Sequence, residues 1–338
     1  MNKNNITYKV IRTIYHQYKF VSRNRKCYKD NRQYFGEKYA SICKKLNKAE
    51  KRKAYSKIVE LKNDKDEFIF NYLKKYIRNK NNDFYVQNEC LTSSDNKSNI
   101  WVFWWTGFET APDVVKVCVE SIKRNAGKHK VILLDKDNYS KYIQIPEHVR
   151  IKHDQGIIGH AHFSDVVRLS LLSKYGGAWL DATLFISKEI PDYVFEHFYT
   201  CKSYSEDSLF ISKSKWTTFF LAGNREFPLF SFARDTLVNY WENNDKAIDY
   251  LFMDYVFEMA CRENSYISSV ISSMPDNNLK RNDLMSLLNE PFNKEVLEDL
   301  FSDDTFVFKL SWRYGKLRTK DENGNMTNYG YLVKEYIK

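Results

Sequence analysis

The chain has 338 residues, 43% hydrophobic and 16% aromatic, which supplies a full globular core and argues against disorder. No run nears eighteen consecutive apolar residues, and Lys3, Lys9, Arg12, His16 and Lys19 interrupt the first twenty, so neither a membrane span nor a signal peptide is expected. The net charge of +10 is uneven: residues 1–80 hold 23 Lys and Arg against 7 Asp and Glu, and the remainder holds 30 against 36.

Taken in chain order, residues 1–80 contain one glycine, Gly36, and no proline. Ile6, Val10, Ile14 and Tyr18 recur at four-residue steps with Ile11 and Tyr15 beside them, which predicts a helix, and a second helical stretch is predicted over 38–80. A basic amphipathic helix suits an anionic membrane surface, by insertion of its apolar side and attraction of Lys and Arg to headgroups. It suits equally a helical hairpin packed on the body, and both readings stay open. No nucleic-acid fold signature accompanies the charge, so no nucleic-acid partner is expected. Six scattered cysteines (Cys27, Cys43, Cys90, Cys118, Cys201, Cys261) form no C-x-x-C pair, which reads as reduced thiols in a cytoplasmic protein.

Residues 81–99, with SSDNKS at 93–98, read as a linker. The expected organisation is therefore a basic helical extension over 1–80, a linker over 81–99 and one large domain over 100–338. That domain opens with IWVFWWT at 100–106, a buried-strand pattern ended by Gly107. Pro112 then starts a helix whose apolar face is Val114, Val115, Cys118 and Ile122, and KVILL at 130–134 is a second buried strand. Strand, helix and strand at these lengths predict an α/β fold with a mostly parallel sheet flanked by helices. Helices are predicted over 162–175, 229–243, 246–262 and 282–301, and strands over 178–186 and 305–310.

The segment 164–183, SDVVRLSLLSKYGGAWLDAT, carries the chemistry. Phe163, Val166, Val167, Leu169, Leu171 and Leu172 leave its helix almost no polar face, yet Asp165 and Arg168 lie on it at i, i+3 spacing. They read as a structural ion pair or as a ligand-facing one. Gly176-Gly177 ends the helix. In the following strand Trp179, Asp181 and Thr183 share one face, which puts the last two about 6–7 Å apart. A carboxylate near the carboxyl end of a parallel strand sits where open α/β sheets bind ligands, and it suits a divalent cation bridging phosphate oxygens.

The pattern S-D-x-x-R-x-x-x-L-x-x-Y-G-G-x-W-x-D-x-T resembles the capsular polysaccharide synthesis proteins related to glycosyltransferase family 32. IWVFWWTG…APDVVKVCVESIKRN resembles their first strand and helix, and FKLSWR their C-terminal motif; together the likeness spans 100–313. It implies a GT-A fold, a nucleotide-sugar donor, transfer to a growing glycan (an oligosaccharide or lipid-linked acceptor) and retention of anomeric configuration. It places Asp165 and Arg168 on donor sugar and ribose hydroxyls, and Asp181 at the first position of a D-x-D signature, near ribose, diphosphate and a Mn²⁺ or Mg²⁺ ion. Thr183 stands in place of the second Asp and offers the metal only a neutral oxygen.

Around this core, one or two of Trp101, Trp104 and Trp105 read as core filler; the resemblance puts Trp105 near the nucleotide base, and Trp104, Trp105 and Gly107 are the substrate-binding candidates. Aromatic faces stack on bases, and Gly107 allows close backbone approach. His160 and His162 form H-x-H without a third ligand, so a metal role is not expected, while His162 flanks the donor pocket. Ser311 and Trp312 are substrate-binding candidates; Trp312 reads equally as ordinary core or as closing over the diphosphate, whose charge Lys309 and Arg313 would offset. Asp254, in the apolar stretch DYLFMDYVF, is a candidate for catalysis or the acceptor side, and Asn224 a weaker acceptor-side candidate. Catalytic roles are thus expected for Asp181, Arg168 and Asp254, and a peripheral position on the inner membrane face through residues 1–80. A second reading is a non-catalytic, membrane-associated glycan-binding or scaffold protein on a transferase fold, for which Thr183 is the main support.

Overall fold

The computed structural model describes residues 3–77, 98–313 and 315–337, with side chains from Arg25 onward. Of the linker predicted over 81–99, residues 81–97 lie outside the described residues, as do residues 78–80, and Asn99 already belongs to the first strand. Helix α1 (Lys3–Lys51) breaks at Gly36, where φ of 88° and ψ of 171° leave the helical region. The chain then turns through Lys53 and returns as α2 (Tyr55–Leu73). The single helix expected over 38–80 is therefore the end of α1 plus α2.

This hairpin is packed on the body. Phe35, Tyr39, Phe70, Leu73 and Tyr76 belong to the same apolar core as Trp241 and Phe252. Tyr39 donates to the Ile248 carbonyl at 2.6 Å, Tyr72 to Asn244 Oδ1 at 2.7 Å, and Tyr255 to Asp66 Oδ1 at 2.6 Å. Lys44, Lys45, Lys48, Arg52 and Lys53 stay exposed on the outside.

The body begins with β1 (Asn99–Phe103), α3 (Asp113–Arg124) and β2 (Lys130–Leu134), the predicted βαβ unit, with β1 and β2 parallel from Asn99↔Lys130 to Phe103↔Leu134. Next come α4 (Glu147–Asp154), α5 (His160–Tyr175) and β3 (Gly177–Leu180), which lies parallel to β1 through Ile100↔Ala178 and Trp101↔Trp179. The strand expected over 178–186 is interrupted. After Leu180 the chain turns at Asp181–Thr183, closed by the Leu184 N–H on the Asp181 carbonyl at 2.9 Å, and resumes as β4 (Leu184–Ile186) in a separate two-stranded sheet.

There follow α6 (Tyr193–Glu196), β5 (Tyr199–Thr200), β6 (Phe220–Gly223), α7 (Pro228–Asn243), α8 (Phe252–Glu263) and α9 (Ser265–Ser273). The last elements are α10 (Asp283–Leu287), α11 (Lys294–Ser302), β7 (Val307–Lys309) and α12 (Asn328–Ile337). The main sheet has the order β2-β1-β3-β6-β5, with β6 antiparallel to both neighbours, so four of its five strands run one way. The mixed α/β architecture and mostly parallel central sheet match the GT-A expectation.

Period-two alternation distributes the sheet's side chains between two cores. Trp101, Phe103, Ile132, Leu134, Trp179 and Leu221 face α5, α7, α8 and the hairpin. Ile100, Val102, Ala178, Leu180, Phe220 and Ala222 face α3 and α12. Covering both faces leaves the strand ends, and loops at them, as the open part of the sheet. On α5, Leu169, Leu171 and Leu172 are fully buried, and each contributes about 1.5–3 kcal/mol of burial free energy. That packing fixes the rotation of the helix, and with it the direction of Asp165 and Arg168.

Candidate active site

Because β1, β2 and β3 are parallel, their carboxyl ends meet on one edge. That edge gathers the Trp104–Gly107 loop after β1, Asp135 after β2 and Asp181 after β3. Strand β7, antiparallel to β4 through Leu184↔Lys309, brings Lys309 to the same place. Its neighbours in the chain follow: Trp312 packs edge-on against Trp104 with ring centroids 5.8 Å apart. The C-terminal motif and the first-strand loop are thereby joined.

At the centre is Asp181. Its Oδ1 accepts from Trp179 Nε1 at 3.0 Å and from Arg168 Nη2 at 3.3 Å, and its Oδ2 from Lys309 Nζ at 3.0 Å. Burial pushes the Asp181 carboxyl up, but the charges of Lys309 and Arg168 and the Trp179 hydrogen bond outweigh it, so the group sits below the ordinary carboxylate value. Arg168 is buried; it also donates to the Thr218 carbonyl, lies 3.6 Å from Asp165 Oδ1, and sits 5.0 Å above the Trp179 ring. It is therefore the post that orients two carboxylates. Asp165 Oδ2 is 3.6 Å from His162 Nδ1. Both that His162 nitrogen and Arg168 Nε are buried without a hydrogen-bond partner among the described residues.

Asp254, in the first turn of α8, accepts from Trp216 Nε1 at 2.9 Å. Burial pushes its carboxyl up to about 6, with the Trp216 hydrogen bond and the Arg168 charge pulling it down and the Asp165 charge pushing it further up. His162 sits between, its ring 6.3 Å from Phe252 and 6.5 Å from Tyr250, an 81% exposed side chain at the rim.

A sequence model of the capsular polysaccharide synthesis protein family matches residues 13–329. The chain belongs to that family. The match takes in much of the basic front end, which the resemblance over 100–313 left out, and agrees with the packing of α1 and α2 into the core. The chain is also 30% identical over 108 residues, 29% of its length, to the O-glycosyltransferase PaGT of Phomopsis amygdali. It is 31% identical over 117 residues, 32% of its length, to the O-glycosyltransferase braB of Annulohypoxylon truncatum. The matched segment spans 27% of each of these relatives. Family and relatives together mark this chain as related to glycosyltransferases.

Within this family member, the other expected positions fall as follows. Gly107 adopts φ of +80°, closing the turn with its N–H on the Trp104 carbonyl, and an added Cβ there would face Asp135 Oδ2 at 3.7 Å. Trp105 lies at the site edge among His153, His160, Phe163 and Tyr139. Trp101 is core, its Nε1 donating to the Gly176 carbonyl at 3.0 Å. The H-x-H pair diverges, since His160 Nδ1 meets His153 Nε2 at 3.0 Å while His162 turns to Asp165. Ser311 Oγ accepts from the Arg313 N–H at 3.2 Å, and the Arg313 guanidinium lies 4.6 Å over Trp312. Asn224 is a correction: β6 is antiparallel to β3 with Gly177↔Gly223, so Asn224 sits beside the start of β3, at the opposite edge from Asp181. Sequence reasoning missed Trp179 as a ligand of Asp181, Trp216 as the partner of Asp254, and Asp135. Only the first had a signal, the shared strand face of W-x-D.

The Mn²⁺ or Mg²⁺ implied by the D-x-D resemblance can be tested against these side chains. Such ions take several oxygen ligands, mostly carboxylate, phosphate and water. Here the Oδ1 of Asp181 faces an indole N–H and a guanidinium, and Lys309 Nζ spans Asp181 Oδ2 at 3.0 Å and Thr183 Oγ1 at 2.8 Å. Among the described residues no three His, Cys, Asp or Glu side chains converge as a metal site. A dication between Asp181 and Thr183 would meet the ammonium head-on. The residues present do not fit it.

Proposed function

We propose that this protein is a glycosyltransferase that moves a sugar from a nucleotide-sugar donor to a hydroxyl of a growing surface glycan, with the retention that the family resemblance implies. The observation carrying this reading is the convergence of Asp165, Arg168, Asp181 and Lys309 at the carboxyl edge of the sheet, from α5, the end of β3 and β7. Charged groups at such cost are kept where a polar ligand completes them. In this reading the base lies against Trp104, Trp105 and Gly107, and Asp165 accepts from donor hydroxyls. Trp312 and Ser311 cover the diphosphate. As the bond from the sugar to the diphosphate breaks, negative charge grows on the phosphate oxygens, and Lys309 and Arg313 stabilise it without needing to reorganise. The acceptor approaches from the His162, Tyr250 and Asp254 side.

Calorimetric titration of the full chain with a panel of nucleotide sugars tests the donor assignment. One of them is expected to bind in competition with its own nucleoside diphosphate. No binding by any member would overturn the reading.

The acceptor assignment has a pH signature. Asp254, raised to about 6, can take the proton of the incoming hydroxyl as general base only when ionised, so transfer is expected to rise with pH through about 6. Asp254→Asn is expected to lower the rate by about 10²-fold and abolish that limb. The same raised value means the folded state binds the proton more tightly than the unfolded chain. Stability should therefore fall as pH rises from about 4 to about 6, and the Asn variant should lose that fall. A rate–pH profile unchanged by the substitution would remove Asp254 from the acceptor side.

A further inference from the structure

We propose that Lys309 is the resident cation of this site, and that donor binding and transfer proceed without a divalent metal. The inference rests on the nucleotide-sugar reading above and adds what meets the diphosphate.

The first support is charge. Two carboxylates with a dication sum to zero, and so does Asp181 with Lys309. Exchanging one carboxylate for the neutral Thr183 hydroxyl and the dication for an ammonium leaves the balance as it was. Thr183 then has a reason to be a threonine: it accepts from the ammonium at 2.8 Å and adds no charge that a lysine could not match.

The second support is geometry. The ammonium has three N–H donors, and those engaged by Asp181 and Thr183 leave one. The Lys309 side chain is 28% exposed, so that donor can reach a ligand entering from the cleft. A lysine head group is a compact point charge and a common phosphate binder. Its position is fixed from several sides. Its N–H bonds the Arg281 carbonyl at 2.7 Å, the next N–H bonds the Thr183 carbonyl at 2.9 Å, and its ammonium lies 5.1 Å from the Phe219 ring centre. Strand pairing thus holds the cation and its two acceptors as one unit, ready before substrate arrives.

The test uses UDP and GDP as probes of the full chain, by calorimetry, in EDTA and again with Mn²⁺ or Mg²⁺ added. Whichever nucleotide binds is expected to do so with Kd unchanged within about twofold between the two conditions. Lys309→Ala is expected to weaken binding at least about tenfold and Lys309→Arg to recover part of it. Thermal melting of both variants separates a lost cation from a lost fold. For wild type, transfer in EDTA is expected to match transfer in Mn²⁺. Binding or transfer lost in EDTA and restored by Mn²⁺ would overturn the role of Lys309 while leaving the transferase reading intact. Wild-type affinity in a folded Lys309→Ala would do the same. Failure of both nucleotides in every condition, together with no binding by any nucleotide sugar of the panel, would overturn both.

Discussion

Asp181→Asn is expected to lower sugar transfer by about 10²–10³-fold, the loss typical of removing one preorganised electrostatic group. The effect is large because Asp181 joins all the elements of the cleft. It anchors Lys309 from β7, Arg168 from α5 and Trp179 from β3 with its two oxygens. An amide of the same shape accepts through one oxygen only, and its NH₂ would confront an ammonium or a guanidinium. Binding should weaken with the rate, since the unanchored lysine no longer points into the cleft. Stability moves too. The folded-state carboxyl titrates below its free value of 3.8, so its contribution is present above that value and disappears as pH falls through the lower folded one. Acidification below about 4 should thus destabilise wild type more than the Asn variant. Turnover within about threefold of wild type, in a variant shown to be folded, would contradict the assignment.

Gly177→Ala is expected to be the most damaging small substitution at the sheet. Gly177 has φ of +86°, a left-handed conformation costing an L-residue about 1–2 kcal/mol. An added Cβ would also stand 2.2 Å from the Asn99 carbonyl oxygen, a backbone atom of the neighbouring strand. Neither strand can yield easily, because β1 is paired on its other side with β2 along five residues. The joint cost should exceed about 4 kcal/mol, in the range reserved for backbone strain combined with core disruption. Thermal or urea unfolding reads it, with a large fall in midpoint expected. An unchanged midpoint would mean that β1 and β3 are not paired in this register. The link to function is direct, since the same pairing delivers Asp181 to the site.

Local pattern was sufficient for the elements whose apolar periodicity is uninterrupted: β1, α3, β2, α5, α7 and β7. It failed where a long-range contact decided the outcome. Apolar alternation runs straight through 178–186, yet the chain leaves one sheet at Asp181 and enters another at Leu184, a change set by β7 some 126 residues away. The helix expected over 246–262 starts at Phe252 because Asp249 Oδ1 takes the Leu251 N–H and holds a turn before it. The stretch over 282–301 splits around Pro291, which cannot donate to a helix. Strand β6 has four residues and no alternation of its own, so it was not predicted.

In the site, Asp165, Arg168 and Asp181 were legible because charge in otherwise apolar elements needs a partner. The arrangement around Lys309 was not, since nothing in FKLSWR tells that β7 pairs with β4. Trp216 likewise reaches Asp254 only through the tertiary fold.

The most direct measurement is mass-spectrometric detection of sugar transfer by the wild-type chain, using a panel of nucleotide sugars with glycan acceptors. The expected result is one donor consumed, with a nucleoside diphosphate released and the acceptor heavier by one sugar. Tight nucleotide binding with no product from any donor would contradict it, and would leave a glycan-binding scaffold on a transferase fold.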